Sequence, residues 1–374
     1  MHQDKAFVGL DVHRENIAVA VAVGREPPQF QGVVANRPEA VRKWVQKLRR
    51  RYTDVLVAYE AGPCGFALYR HLEQLGLSCQ VVAPSLIPRP AGQRVKTDRR
   101  DALLLARLLR SGDLTPVWVP DAEHEALRDL VRAREAALAD RVRVTNRLRK
   151  LLLRSGIYPP RGVRSHTRGY QRWLAAITLP LANQQFVLNE LRSALAECNA
   201  RLQRLEAEVL RATTDSHYAP LIAAYQCLRG IGALTAVTLV AELGDLRRFH
   251  RARPLMAYAG LVPSEYSSGD KQQRGALTKA GNPHVRRVVI ESAWHSRHIP
   301  RVGIGLKRRQ AGQPDAIRSL SWKAQQRLHR RYHALVRRTR NAPKAAAAVA
   351  RELIGFIWAI AQQVPPTPVQ AAAA

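Results

Sequence analysis

The sequence predicts a multidomain α/β-plus-α chain, and three observations carry that prediction. Roughly the first 120 residues alternate strand and helix signals, the next stretch reads as long charged helices, and the remainder is helical and strongly basic. At 374 residues the chain is long enough for two or three separate cores. The predicted divisions are an α/β domain over 1–120, a helical coiled-coil arm over 121–215, a basic, mainly helical domain over 216–362, and a disordered tail over 363–374.

Within the first division, residues 7–10 and 17–23 are rich in Val, Ile and Ala and flank the polar stretch 11–16, which predicts a β-hairpin. Residues 30–34 supply a third strand. Residues 38–51 have helical spacing at Val41, Trp44, Val45 and Leu48. A short buried strand over 55–58 ends at Tyr59 and Glu60. After the turn at Gly62 and Pro63 come a helix to about Leu75, a strand over 79–83 and a helix over 99–109. Three strands followed by alternating helices and strands is the order of a ribonuclease-H-like domain, although many α/β domains share it.

Over 122–153 the pattern becomes one long charged helix with Leu127, Val131, Leu138, Val142, Leu148 and Leu152 on one stripe. After a loop with Pro159 and Pro160, a second long helix carries Leu191, Leu195, Cys198, Leu202, Leu205 and Val209, spaced 4-3-4-3-4. That is a coiled-coil seam. The two helices pair with each other or with another subunit. Further on, Gly230-Ile-Gly232 lies between two apolar helical stretches, as in helix–hairpin–helix elements, where glycines let backbone N–H groups approach a phosphate. A plain tight turn fits the same residues. A last apolar helix is predicted over 345–361.

Charge narrows the function. Lys and Arg total 60 against 29 Asp and Glu, a formal net charge of +31. Self-repulsion of that size calls for a polyanionic partner. The excess is uneven: 19 basic and 3 acidic residues lie between Asp270 and Lys344, a surplus of 16 in 75 positions. Charge therefore points to nucleic acid and is silent on chemistry. The four cysteines are widely spaced and form no C-x-x-C pair, which excludes a zinc ribbon or a disulfide framework and makes a reducing cytoplasm the expected setting. No run of 18 apolar residues and no signal-peptide pattern is present, so no membrane partner is expected.

Against so basic a background, four acids stand out. Asp11 closes the first strand, Glu60 ends the central strand, and Asp98 and Asp101 share one face of a helix start. In this strand order those elements meet at one sheet edge. Carboxylates converging from different elements are what two Mg²⁺ ions about 4 Å apart need for phosphodiester chemistry. Each acid also has a plainer reading. Asp98 and Asp101 suit a helix cap, Asp11 a hairpin turn and Glu60 a solvated loop. His13 reads as a surface histidine or a phosphate contact. A second candidate site is the stretch 260–282, where Ser267 and Ser268 precede Gly269 and are followed by Lys271, Arg274 and Lys279. A hydroxyl attacking a phosphodiester needs such cations around the phosphorane. A serine-glycine loop that only binds phosphate fits as well.

Taken together, these motifs resemble those of the insertion-sequence-110 transposases, with the 1111 subgroup nearest. The resemblance rests on G-L-D-V-H (9–13), Y-E-A-G-P (59–63), K-T-D-R-R-D-A (96–102), G-I-G (230–232), G-L-V-P…S-S-G…T-K-A-G-N (260–282), W-K-A-Q-Q-R-L (322–328) and A-R-E-L-I-G-F-I-W (350–358). It implies a ribonuclease-H-like (RuvC-like) DEDD metal nuclease domain joined to a C-terminal serine domain. Asp11, Glu60, Asp98 and Asp101 would be the metal ligands, for Mg²⁺ or Mn²⁺, and Ser268 the nucleophile, with Ser267 adjacent. Gly230, Gly232, Lys271, Arg274 and Lys279 would contact nucleic acid. The family usually has two glycines after the serine, and here Asp270 replaces the second. Also implied are double-stranded DNA at the element ends and target and an element-encoded noncoding guide RNA, while the coiled-coil seam and the cysteine usage add the expectation of a homo-oligomer (dimer or tetramer) and a bacterial cytoplasmic location. The rival reading is a metal-only endonuclease of the Holliday-junction type.

Overall fold

Strands β1 (Ala6–Val12) and β2 (Asn16–Val23) form an antiparallel hairpin turned over the polar residues 13–15, and β3 (Gln29–Ala35) extends it. Helix α1 (Pro38–Arg51) leads to β4 (Val55–Glu60), which pairs with β1 in parallel, and α2 (Ala67–Gln74) leads to β5 (Ser78–Val82) beside β4. The sheet order is β3-β2-β1-β4-β5. The computed structural model of the chain describes residues 5–88, 97–164, 167–268 and 273–365. The chain divides into two compact units, Met1–Pro120 and Asp121–Ala374.

In the first unit, strand alternation sorts side chains to two faces. Val8, Leu10, Val57 and Tyr59 point to one face, covered by Val41, Val45 and Leu48 of α1 and Leu68 and Leu72 of α2. Ala58 and Val82 point to the other, together with Ala18, Ala20 and Ala22. This face is covered by α3 (Asp98–Ser111) through Ala102, Leu105, Ala106 and Leu108. The small residues matter here. A Cβ on Gly9 would fall on the backbone of Ala102 and Ala106, so glycine sets how closely α3 can lie against β1.

In the second unit, α4 (Ala122–Arg154) and α6 (Ala182–Thr214) run antiparallel, since Arg134 bonds Glu206 and Asp140 pairs with Arg201. The seam residues of α6 face inward, with Leu202 and Val209 fully covered. One expectation for α4 fails: Val142 is 48% exposed, and the buried positions pass from Ala137 to Thr145 and Leu148. At 3.6 residues per turn Val142 lies about 60° round the helix from Leu127 and Thr145, at the edge of the stripe. At the far end α5 (Arg168–Ala176) closes a small core of Leu148, Leu152, Tyr170, Leu174 and Leu188.

At the near end Leu127, Val131 and Val209 join a larger core. That core is built by α7 (Ala219–Gln226), α8 (Ala233–Leu243), α9 (Ala252–Tyr258), α10 (Pro283–Ala293), α11 (Ile304–Gln310), α12 (Asp315–Thr339) and α13 (Ala342–Ala361). Among them, α8 buries every residue from Ala236 to Leu243, and α13 buries Ala346, Val349, Ala350, Leu353, Ile357 and Ile360. Between α9 and α10 the chain forms a small antiparallel hairpin, β6 (Pro263–Glu265) and β7 (Arg274–Leu277), where the sequence suggests only a loop. No helix among the described residues is long and apolar enough to cross a membrane. Of the tail predicted over 363–374, residues 366–374 lie outside the described residues.

Candidate active site

Register brings the acids of the first unit together. Leu10 pairs with Tyr59, so Asp11 and Glu60 stand side by side one residue further on, at the C-terminal ends of two parallel strands. Asp11 follows Gly9 on the face that α3 covers, and Glu60 follows Ala58 on that same face. Asp98 and Asp101 sit in the first turn of α3. They do not cap it: Thr97 is the cap, its hydroxyl accepting from the Arg100 N–H. Neither carboxylate supplies the cap, although both lie in the first turn, where the helix dipole favours an acid.

Asp11, His13 and Asp98 form the tightest group, with one ligand atom of each within 4.8 Å of the others. His13 Nε2 lies 3.4 Å from Asp11 Oδ2 and 3.4 Å from Asp98 Oδ1. Glu60 and Asp101 stand outside that group. Burial pushes the Asp11 carboxyl above its ordinary range; His13 opposes the shift, while the charges of Asp101 and Asp98 add to it. A half-buried carboxylate whose ionisation is made costlier by two neighbouring acids is well matched to a hard cation taking oxygen ligands. His13, exposed as the sequence suggests, lies one residue beyond β1 and reaches both acids through its Nε2.

The second unit carries the serines. Ser267 and Ser268 are exposed just beyond β6. The Ser267 hydroxyl donates to Glu265 Oε1 at 2.9 Å, and Glu265 is the register partner of Arg274 across the hairpin. Lys271 lies outside the described residues, as do Gly269 and Asp270. Lys279 is exposed and held at φ 52°, an uncommon conformation for a non-glycine residue, followed by Gly281 at φ 97°. The turn is fixed from beneath. Asn282 donates through Nδ2 to Glu242 Oε2 at 2.7 Å and accepts from the N–H groups of His284 and Val285. Glu242 is fully buried and takes two hydrogen bonds from Arg132, at 2.8 and 3.0 Å. Burial pushes the Glu242 carboxyl up, but Arg132 and Asn282 outweigh it and hold it below its ordinary value.

Beside this hairpin lies a groove of about 850 Å³. Arg274, Arg327, Arg331, Lys344 and Arg351 line it around Leu261, Leu277 and Ala348. Glu352 is the acid among its lining residues, and it pairs with Arg327 and Arg331. Gly230 and Gly232 sit elsewhere in the unit, at the α7–α8 turn. Gly230 has φ +87°, and a Cβ there would meet the Ser292 carbonyl, so the turn needs glycine for its conformation and its packing.

Both regions fall within stretches that match known protein families. Residues 8–157 match a family model described as a transposase of the DEDD, IS110 type. Residues 225–304 match that of the transposase IS116/IS110/IS902 family. A putative transposase of Sinorhizobium fredii is 42% identical over 362 residues, covering 96% of this chain and 89% of the relative. The chain belongs to the IS110 family of transposases. The transposase for insertion sequence element IS1533 of Leptospira borgpetersenii is 30% identical over 88% of this chain and 96% of its own length. The transposase for insertion sequence element IS1111A of Coxiella burnetii is 28% identical over 66% of this chain and 68% of its own. The first family match spans all four acids, and the second spans the serine hairpin and the α7–α8 turn. Membership makes the chain a DNA transposase and implies a divalent metal ion, which the oxygen-rich donor set of Asp11 and its neighbours fits.

Proposed function

We propose that this transposase cleaves and exchanges DNA strands through a covalent serine intermediate, with Ser268 as nucleophile and Asp11, Glu60, Asp98 and Asp101 as a metal site. The observation that carries this reading is the meeting of Asp11 of β1 with Asp98 of α3, with Glu60 of β4 beside Asp11 by strand register. The sheet order, with an antiparallel β1–β3 meander followed by two parallel strands and α3 across one face, supports a ribonuclease-H-like unit. A divalent ion such as Mg²⁺, or Mn²⁺ in its place, supplies polarisation of the scissile phosphate when bound there.

The chain's own residues do the rest. The Ser268 oxygen forms a bond to phosphorus as one bridging P–O bond of the DNA breaks, and the released deoxyribose hydroxyl takes up the proton that the serine gives up. A second DNA hydroxyl then attacks the phosphoserine, restoring Ser268 and joining the strands with no water consumed. Ser267 donates to the Glu265 carboxylate, an arrangement that would suit a nucleophile too, and the choice of Ser268 rests on the family resemblance. The groove around Arg274, Lys279 beside it, and Lys271 within the same loop bind the DNA backbone, while Gly230 and Gly232 present main-chain N–H groups to phosphate at a second place.

Three further parts complete this reading, of which the RNA rests on the family resemblance, the arm on heptad spacing and the location on cysteine usage. An RNA encoded by the element pairs with donor and target DNA, the α4–α6 arm is a coiled coil that brings subunits into a dimer or tetramer, and the protein works in the bacterial cytoplasm. The 4-3-4-3-4 seam of α6 supports the arm assignment. The test of the nucleophile is a strand-joining assay on element ends with two variants. Ser268→Ala should lose product by at least 10³-fold, a typical order for removing a nucleophile, while Ser267→Ala retains most of it. Full joining activity of Ser268→Ala would move the assignment to Ser267, and free nicked ends in place of joined product from the wild type would favour metal-only hydrolysis.

A further inference from the structure

Near the α7–α8 turn, a hollow of about 400 Å³ collects Arg229, His295, Arg301 and Arg309 around Gly230 and Gly232, and none of its lining residues is acidic. Elsewhere in this unit arginines are matched to carboxylates, as in Arg132–Glu242, Arg287–Glu135 and Arg327–Glu352. No ion pair among the described residues involves Arg229, Arg301 or Arg309. Two of the three are nonetheless held in place by backbone oxygens. Arg229 Nη1 donates to the carbonyls of His298 and Ile299, at 3.3 and 2.7 Å, and Arg309 Nη1 donates to the Ile231 carbonyl at 3.0 Å. Cations fixed close together without an anion repel one another. Burial and the charge of Arg301 hold Arg229 below its ordinary value, and burial, then Arg229 and other neighbouring cations, do the same to His295. Such an arrangement is stabilised by an anion from outside.

The rim distinguishes a polymer from a free ion. Ile299 and Ile304 are each 76% exposed and Val302 is 45% exposed, beside Arg301 and Gly303. A hydrated inorganic anion gains nothing from aliphatic side chains, whereas a nucleic-acid backbone presents apolar sugar surface next to every phosphate. Duplex RNA is recognised largely through its 2′-hydroxyls, and this aliphatic rim offers them no donor or acceptor. In the DNA minor groove, by contrast, apolar side chains and arginines act together.

We propose that this hollow is a clamp for duplex DNA, gripping backbone phosphates through Arg229, Arg301 and Arg309 while Ile299 and Ile304 rest on deoxyribose in the minor groove. It deepens the reading of Gly230 and Gly232 as phosphate contacts and rests on it. Its lining residues are all different from those of the groove beside the serine hairpin. The clamp therefore holds DNA at a second place, independent of the chemistry.

The test is equilibrium binding of the full chain to a labelled DNA duplex of arbitrary sequence, in EDTA, across a salt series. A matched RNA duplex and inorganic phosphate at equal ionic strength serve as competitors. Arg301→Glu should weaken DNA binding at least tenfold and lower the salt slope by about one. Ile304→Ser should weaken DNA binding several-fold while leaving RNA binding unchanged, and Arg42→Glu on exposed α1 should change both less than twofold. Circular dichroism and thermal melting check that each variant is folded. Folded Arg301→Glu protein that binds DNA within twofold of wild type overturns the clamp, as does an equal loss on duplex RNA or displacement of DNA by phosphate alone. Because the assay uses no metal and forms no covalent bond, Ser268→Ala protein should bind like wild type. Failure of the serine reading is thus seen separately from failure of the clamp.

Discussion

Single residues decide whether the acids converge. Gly9 has no room for a side chain against α3, so Gly9→Ala should push α3 off the sheet and carry Asp98 and Asp101 away from Asp11. Overpacking of this kind costs about 1–3 kcal/mol, so we expect a fall in the melting temperature of the first unit together with loss of strand joining. Unchanged melting and activity would mean that α3 does not need its close approach. Much of this site is legible from sequence because Asp11 and Glu60 close apolar runs and Asp98 and Asp101 open a helix. What is not legible is their company. A histidine two residues past a strand-end aspartate looks like surface until the fold sets Asp98 on its other side, 3.4 Å away. The capping role of Thr97 is likewise a matter of backbone geometry at the helix start, where three neighbouring side chains compete as caps.

At the scale of elements, the serine hairpin depends on a buried polar anchor. Glu242 joins Arg132 of α4 to Asn282 ahead of α10, and Glu135 of α4 takes His284 and Arg287 of α10 in the same way. Removing one partner of a buried pair typically costs about 3–5 kcal/mol. Glu242→Ala should therefore lower the stability of the second unit by roughly 3 kcal/mol in chemical denaturation, whereas a loss under 1 kcal/mol would show that the pair is dispensable. Another buried group gives the unit a pH dependence. His124 lies between the Tyr218 hydroxyl and the Ala241 carbonyl, and burial above all holds it below its ordinary value of 6.5. The unfolded chain therefore takes up the proton first. Stability is complete above pH 6.5 and falls as acidity carries the protein down through the lower folded value. Melting temperatures measured between neutral and mildly acid pH should show this decline, and His124→Gln should flatten it.

The elements themselves differ in how plainly the sequence announces them. Strands β1, β2 and β4 are dense in Val and Ala, and α1 places its apolar residues with helical period. By contrast, β6 and β7 are three and four residues long and largely exposed, so no alternation marks them. Helix α12 buries Ile317, Ser321, Ala324, Gln325, Leu328, Tyr332 and Leu335. Its inward stripe includes a serine and a glutamine among many arginines, which hides the period from a hydrophobicity pattern.

For the whole molecule, charge governs affinity more than any contact does. A net charge of +31 concentrated after residue 270 predicts that binding to DNA of arbitrary sequence is dominated by counterion release. Affinity should fall on the order of 10³-fold between about 50 and about 200 mM salt, measured by fluorescence anisotropy; a flat salt profile would contradict the electrostatic account. Separating functions between two units has a further consequence. Asp11 belongs to the first unit and Ser268 to the second, so substitution at either should leave DNA binding intact while stopping chemistry. The measurement that tests the central claim most directly is a search for protein covalently joined to DNA after denaturing purification from cells carrying the element ends. The account predicts an adduct with wild-type protein that disappears in Ser268→Ala and, separately, in Asp11→Ala. Adduct persisting in Ser268→Ala, or nicked DNA with free ends and no adduct from the wild type, would contradict it.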